Sequence, residues 1–446
     1  MPKIISCKST IKKFILLILI IKILGYPLYC DDKEETKLVE IGLSPDLFEI
    51  YTNNNNEKFL RPKHDKQGMV YKDIVINKTV PYNLDFNNLT FKGKVILHRA
   101  TFQKKIYFLN AKFEKDSVFT YITCKGAVYF VNVFFESDVS FYRSLFEEET
   151  TFDCVEFHKN VIFNQARFGQ NTYFSKNWFN HQTDFSYTRF AVDKILDFTD
   201  SRFYGVILFY KTSFPGETIF NNVFIYKEID LTSIDDKSSA DICYIDLYGA
   251  TIDKTKLSYE KFRVYFDDAK DLSFDQKNHV YLKLLSKQKN DGFVNSHKKL
   301  DLEYRKFYHF HGSIIKKIMY HIKKIWWNFG YNKERIFIIA MILLLVFSFI
   351  NYWKFGYLIK VYPVDNIKKI IEKRDKKSKK NFFRRILSAV KYFTLAFYFT
   401  GSIFFGLKMP IGKFDFSKPM GVAYILFINL SGLICAAYMF NFIISI

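Results

Sequence analysis

The chain has 446 residues, with 66 Lys+Arg against 45 Asp+Glu for a net charge of +21, and 51 Phe and 30 Tyr against only 18 Gly and 9 Pro. That composition excludes a disordered or collagen-like chain and leaves room for two or three domains. Six Cys with no close pairing exclude a disulfide scaffold and a CxxC zinc site.

The N-terminus has the pattern of a targeting segment. Lys3, Lys8, Lys12 and Lys13 precede the apolar run Phe14 to Ile21, and a break follows at Gly25-Tyr26-Pro27. A basic stretch, a short apolar stretch and a break predict a secretory signal peptide over 1–30. The run falls short of the ~20 residues needed to span a bilayer, so a retained N-terminal anchor is the alternative. Either way the following segment leaves the cytoplasm. Residues 31–74 are expected to form an N-terminal cap.

The middle of the chain is an internal repeat. Phe stands at 91, 102 and 113, then Cys124, then Phe at 135, 146, 157, 168, 179 and 190. A second series runs Phe86, Leu97, then Phe at 108, 119, 130, 141, 152, 163, 174 and 185. Every step in both is 11 residues. Two residues are inserted after Phe190, and the pattern resumes at Phe198, Phe203, Phe209, Phe214 and Phe220. Chance does not sustain such spacing. Positions two before most of these Phe are small or β-branched, as at Ala100, Val133, Val139 and Val161. That suits an extended backbone with both residues inward, not a helix.

These residues, as in Phe157-x5-Phe163-x4-Phe168, resemble the pentapeptide-repeat family in its Phe-rich form. The resemblance implies a right-handed quadrilateral β-helix, a solenoid with 22 residues per coil, here over residues 75–255 with about six coils between 86 and 225. Val75 and Val80 are candidates to begin it. Some members of that family mimic DNA, which requires an acidic rod. Residues 86–225 carry 16 Lys+Arg and 14 Asp+Glu, so no nucleic-acid partner is expected. An unidentified protein partner of the β-helix is.

Residues 256–335 are expected to form a helical connector. Ile314, Ile315, Ile318, Met319, Ile322 and Ile325 recur at helical spacing, with Lys316, Lys317, Lys323 and Lys324 between them. A basic amphipathic helix ending in Trp326-Trp327 suits a lipid headgroup layer. An α-helical transmembrane domain then fills 336–446. Ile336 to Trp353 and Met420 to Ile446 are uncharged and predict two spans. Between them lie a basic stretch, 354–385, and an apolar segment over 386–406 interrupted by Lys391, which is either pore-loop-like or a third span.

This order looks like the two-helix pore module of potassium-channel-like proteins. Pentapeptide rods joined to such a module resemble a known class of bacterial membrane proteins. The resemblance implies a homo-oligomer through the transmembrane helices and a filter at Ser402-Ile403-Phe404-Phe405-Gly406. Phe404 stands where the family's filter has its first Gly, a position whose backbone angles a bulky residue adopts only with strain. K⁺ selectivity is therefore not expected.

No phosphate loop, GxSxG or HExxH motif is present in the sequence, and neither an enzyme activity nor a cofactor or metal site is predicted. Two readings stand. One is a channel-like integral membrane protein with a β-helix domain. The other is a membrane-anchored β-helix scaffold or binding protein of the bacterial envelope. The signal segment places the chain in the bacterial inner membrane with the β-helix exported, whereas the usual topology of a potassium-like pore module, loop outside, would leave the β-helix in the cytoplasm.

Overall fold

The computed structural model describes residues 32–235, 239–267, 270–362, 382–406 and 414–444. The expected signal segment lies outside them. Two compact units divide between Tyr304 and Arg305.

The first unit is a β-solenoid of about nine turns. Its strands stack into four long sheets of 11, 8, 7 and 6 strands, parallel from rung to rung. Through the central rungs each turn returns the chain 22 residues on, pairing Phe108 with Phe130 and Phe152 with Phe174. The two inserted residues lengthen one turn, where Trp178 pairs with Arg202 and Thr183 with Ile207.

The Phe series become ladders of stacked rings. Ring centroids lie 4.7 Å apart for Phe130–Phe152, 4.9 Å for Phe141–Phe163 and 5.0 Å for Phe146–Phe168. That is about the ~4.8 Å spacing of neighbouring strands, so a ring on one rung meets the same ring on the next. The Phe side chains are buried. Each contributes roughly 1.5–3 kcal/mol of burial, and stacked pairs add about 0.5–1.5 kcal/mol. Cys124 takes a ladder place between Phe102 and Phe146 and is buried.

Corners recur with the same period. Asn132, Arg143, Cys154 and Gln165 all have φ between 54° and 60°, the left-handed region. Asn tolerates it best, and Asn88, Asn110 and Asn132 form a hydrogen-bonded ladder at 2.9 and 2.8 Å.

Both ends of the solenoid are covered, as exposed rungs require. The N-terminal end carries helix α1 (Asp32–Glu40) and an antiparallel hairpin, β1 (Phe48–Thr52) and β2 (Lys58–Pro62). Strand β2 then pairs in parallel with Asn83–Asp85. On the strand Ile74–Ile76 the outer two residues are buried and Val75 is exposed, so Val75 is not a core position. Alternation along the strand decides this. Val80 is buried. Parallel pairing continues through Thr255–Leu257 to Phe262–Val264. Helices α2 (Phe274–Asn290) and α3 (Val294–Phe310) follow. Glu303 accepts from Tyr259 at 2.7 Å and Tyr281 at 3.0 Å, and Gln288 donates to the Leu257 carbonyl at 3.2 Å, tying these helices to the last rungs.

The second unit is helical. Helix α4 (Ile314–Trp327) leads into α5 (Arg335–Val361). Helices α6 (Phe382–Phe404) and α7 (Pro419–Ile444) complete it. Helices α5 and α7 are long and apolar enough to cross a membrane. They run antiparallel: Phe337 meets Phe442 and Phe347 meets Phe427, with ring centroids 5.6 and 6.0 Å apart. Helical geometry breaks locally at Lys354 in α5.

Candidate functional site

Helix α6 is the element of interest, because the expected filter lies at its end. Three of its hydroxyls bond within the helix: Thr394 donates to the Val390 carbonyl, Thr400 to Ala396 and Ser402 to Tyr398. Such back-bonding removes polar donors from an apolar setting. The helix runs antiparallel to α5, with Phe355 against Phe399 and Phe347 against Phe404.

Helix α6 stops partway. Its last residue, Phe404, lies beside Phe347 and Gly432, which stand about halfway along α5 and α7. Gly406 closes it in the left-handed region, φ 67°, a conformation glycine adopts freely. By Phe414 the chain is back at the end of α5: the Phe414 ring is 4.9 Å from Tyr362, and Asp415 N–H donates to the Val361 carbonyl at 2.9 Å. So α6 starts and the chain returns at one end of the bundle.

Close approach makes this possible. A Cβ added to Gly432 would lie 1.7 Å from the Phe404 carbonyl oxygen. Asn429 Nδ2 donates to the Ile403 carbonyl at 2.8 Å, holding the last turn of α6 against α7. A second polar tie joins all three helices. Asn351 donates to Thr400 Oγ1 at 2.8 Å and accepts from Tyr424 at 2.9 Å.

The five expected filter residues are all placed. Ser402, Ile403 and Phe404 form the last turn of α6, and Phe405 and Gly406 form the turn after it. Ile403 and Phe404 are buried among the three helices. Phe405 N–H donates to the Gly401 carbonyl and Gly406 N–H to that of Ile403. These carbonyls are engaged by the protein. Residues 407–413, between Gly406 and Phe414, lie outside the described residues.

Comparison of the chain with family models, curated proteins and solved structures returns no match.

Asn351, Thr400, Tyr424, Asn429 and Gly432 did not emerge from the sequence as site residues. A polar side chain inside an apolar span, as at Asn351, is the signal that marks such a position. Among the described residues no group of three or more His, Cys, Asp or Glu could hold a metal ion. His309 and His311 turn Nδ1 to the backbone carbonyls of Arg305 and Phe307. Burial pushes the Cys124 thiol well above its ordinary value, as for a core residue.

Helix α4 adds an exposed apolar face. Ile314 and Ile315 are 74% and 72% exposed, and Ile325 is 68% exposed. Tyr320 is the one buried residue among the described side chains of the helix, set against Phe310 and Phe329.

Proposed function

We propose that this chain is a channel-like integral membrane protein whose solenoid is of the pentapeptide-repeat type, a right-handed quadrilateral β-helix. The observation that carries the reading is the half-depth end of α6. Phe404 abuts Gly432 halfway along α7, while Phe414 stands beside Tyr362 at the end of α5. A third spanning helix would need its far end level with the opposite ends of α5 and α7. A segment that enters and leaves on one side is a re-entrant loop, which membranes tolerate only when it is buried in protein or lines a cavity. With two spans around it, the layout supports a pore-loop module assembled from several copies through α5 and α7.

K⁺ selectivity through residues 402–406 is not part of this reading. A K⁺ filter needs free carbonyl oxygens facing the ion. Here the Gly401 and Ile403 carbonyls accept from Phe405, Gly406 and Asn429. The exposed isoleucines of α4 beside Lys316, Lys317, Lys323 and Lys324 support an interfacial helix lying on the bilayer just before the first span.

The test is sidedness. Single cysteines replacing Ser378 and Lys413, in a background without native cysteines, would be labelled by a membrane-impermeant thiol reagent in intact and opened cells. Labelling from the same side is expected. Opposite sides would make α6 a spanning helix and leave the anchored scaffold reading, which the covered ends of the solenoid also suit. Ion flux into liposomes containing the purified protein then tests conduction.

A further inference from the structure

One face of the solenoid carries an excess of positive charge: Arg143, Arg167, Arg189 and Lys211 against Asp235. Some lysines of the rod pair with a carboxylate on a neighbouring rung: Lys112 with Glu136 at 2.9 Å and Lys94 with Asp116 at 3.6 Å. On the strands Arg167–Phe168 and Arg189–Phe190 the pattern fails. Arg167 is the direct cross-strand partner of Arg189, and both are exposed. Like charges placed directly opposite destabilise a sheet. Among the described residues no carboxylate forms an ion pair with Arg167, Arg189 or Lys211. Locally unfavourable placement on an otherwise consistent scaffold is a mark of function.

These arginines line an open groove of about 530 Å³ along the left-handed corners. Stepping rung by rung, the corner residues are Tyr121, Arg143, Gln165, Tyr187 and Lys211, with Asp235 at the far end. Five rungs at strand spacing make the groove roughly 20 Å long. Arg143 sits 5.8 Å from the Tyr121 ring and 5.3 Å from Tyr142; Lys211 sits 5.8 Å from Tyr187 and 5.5 Å from Tyr210. The cations are thus held in place by the rings beneath them.

We propose that this groove binds an extended acidic oligosaccharide, with Arg167 and Arg189 together gripping one of its sulfate, phosphate or carboxylate groups. The remaining residues favour a hydroxyl-rich chain. The Tyr187 hydroxyl can donate to and accept from sugar hydroxyls, and the side-chain oxygens of Gln165 and Asp235 can accept from them, whereas a carboxylate in the groove repels a uniform polyanion. Single-stranded nucleic acid binds by stacking on free aromatic faces, and here Arg143 and Lys211 lie over the rings. An extended peptide adds to an open sheet edge; here Arg167–Phe168 pairs with rungs on both sides, and the outer side of Arg189–Phe190 is already bridged to Ser213.

The proposal concerns the solenoid alone and does not depend on the re-entrant reading of α6. Its test is a fluorescence-anisotropy titration of the full chain in detergent with a labelled heparin-derived hexasaccharide at low and moderate salt. Binding is expected, weakening as salt rises. Arg167→Gln/Arg189→Gln is expected to weaken it at least tenfold, and Lys92→Gln/Lys112→Gln on another sheet to leave it within twofold. Because both arginines are exposed and repel each other, the double variant should melt at or above the wild type; if it melts below, the single Arg189→Gln carries the comparison. Absence of binding, equal binding by neutral maltohexaose, or equal loss in the two double variants would overturn the proposal. Tighter binding of oligothymidylate or poly-glutamate than of the hexasaccharide would overturn the assignment to a glycan.

Discussion

Asn351 on α5 donates to the Thr400 hydroxyl on α6 at 2.8 Å, and both side chains are fully buried. Tyr424 on α7 donates to the other end of the same amide. In a setting without water a single side chain thus links the three helices, and it does so at the depth where α6 nears its end. Replacing Thr400 with Val keeps the shape and leaves the Asn351 donor unpaired. The expected loss is about 1–3 kcal/mol of stability. Asn351→Leu/Thr400→Val removes both partners and should cost less than the sum of the single changes, measured by denaturation in mixed micelles.

Gly432 is held by the Phe404 backbone. Gly432→Ala puts a methyl group where a carbonyl oxygen stands, so α6 or α7 must move. The expected cost is ~3 kcal/mol, the upper part of the usual overpacking range. Gly356→Ala, in open space on α5, is the comparison. It should be neutral or stabilising by about 0.5–1 kcal/mol, since Gly is a poor helix residue. Equal melting of the two variants would count against the packing described for α6.

In the solenoid, Phe163 stacks on Phe141 and Phe185, each 4.9 Å away. Phe163→Ala opens a cavity that neighbouring rungs cannot collapse into, because each is fixed by its own strand pairing. A loss of about 3–5 kcal/mol is expected. Arg167→Ala, four residues on in the same turn and facing outward, should change stability by less than ~0.5 kcal/mol. Guanidinium unfolding followed by far-ultraviolet dichroism distinguishes the two.

The C-terminal rungs carry a pH dependence. Burial raises the carboxyls of Asp197 and Glu217 above their ordinary values, and repulsion from Asp267, Asp197 and Asp246 adds to the shift of Glu217. A carboxyl with a raised value in the folded state holds its proton more tightly there than when unfolded. Stability from these groups therefore grows as pH falls through the raised values, and is complete near the ordinary carboxyl value of about 4. It is lost as pH rises toward neutrality. Asp197→Asn should accordingly flatten the pH dependence between pH 7.5 and 5 relative to the wild type, read from denaturation midpoints. An unchanged profile would refute the assignment.

Much of the solenoid was legible because its order is local and periodic. Phe130, Phe152 and Phe174 sit 22 residues apart, and a ring that stacks on its copy must return at that spacing. The two-residue insertion after Phe190 was visible for the same reason. Legibility ended where the period did. The extent of the rungs beyond residue 255 and the outward turn of Val75 depend on which strands pair, and short irregular stretches do not encode that in spacing. The groove column was hidden because its residues share no chemistry: Tyr121, Arg143, Gln165, Tyr187 and Lys211 are linked only by the corner they occupy.

By itself, then, the sequence determined that a Phe-stacked repeat precedes two apolar spans with a shorter apolar segment between them. These follow from periodicity and hydrophobic length, which are one-dimensional properties. Only the tertiary structure decided where α6 ends. That depends on Gly432 letting the Phe404 carbonyl come close and on Asn351 and Asn429 finding partners in other helices. Residues 402–406 read as a degenerate filter in sequence because a hydroxyl, an aliphatic, an aromatic and the second glycine stand in order, with Phe404 in place of the first glycine. In three dimensions they form the last turn of α6 and the turn after it, and among their carbonyls that of Ile403 accepts from Gly406 N–H and Asn429 Nδ2.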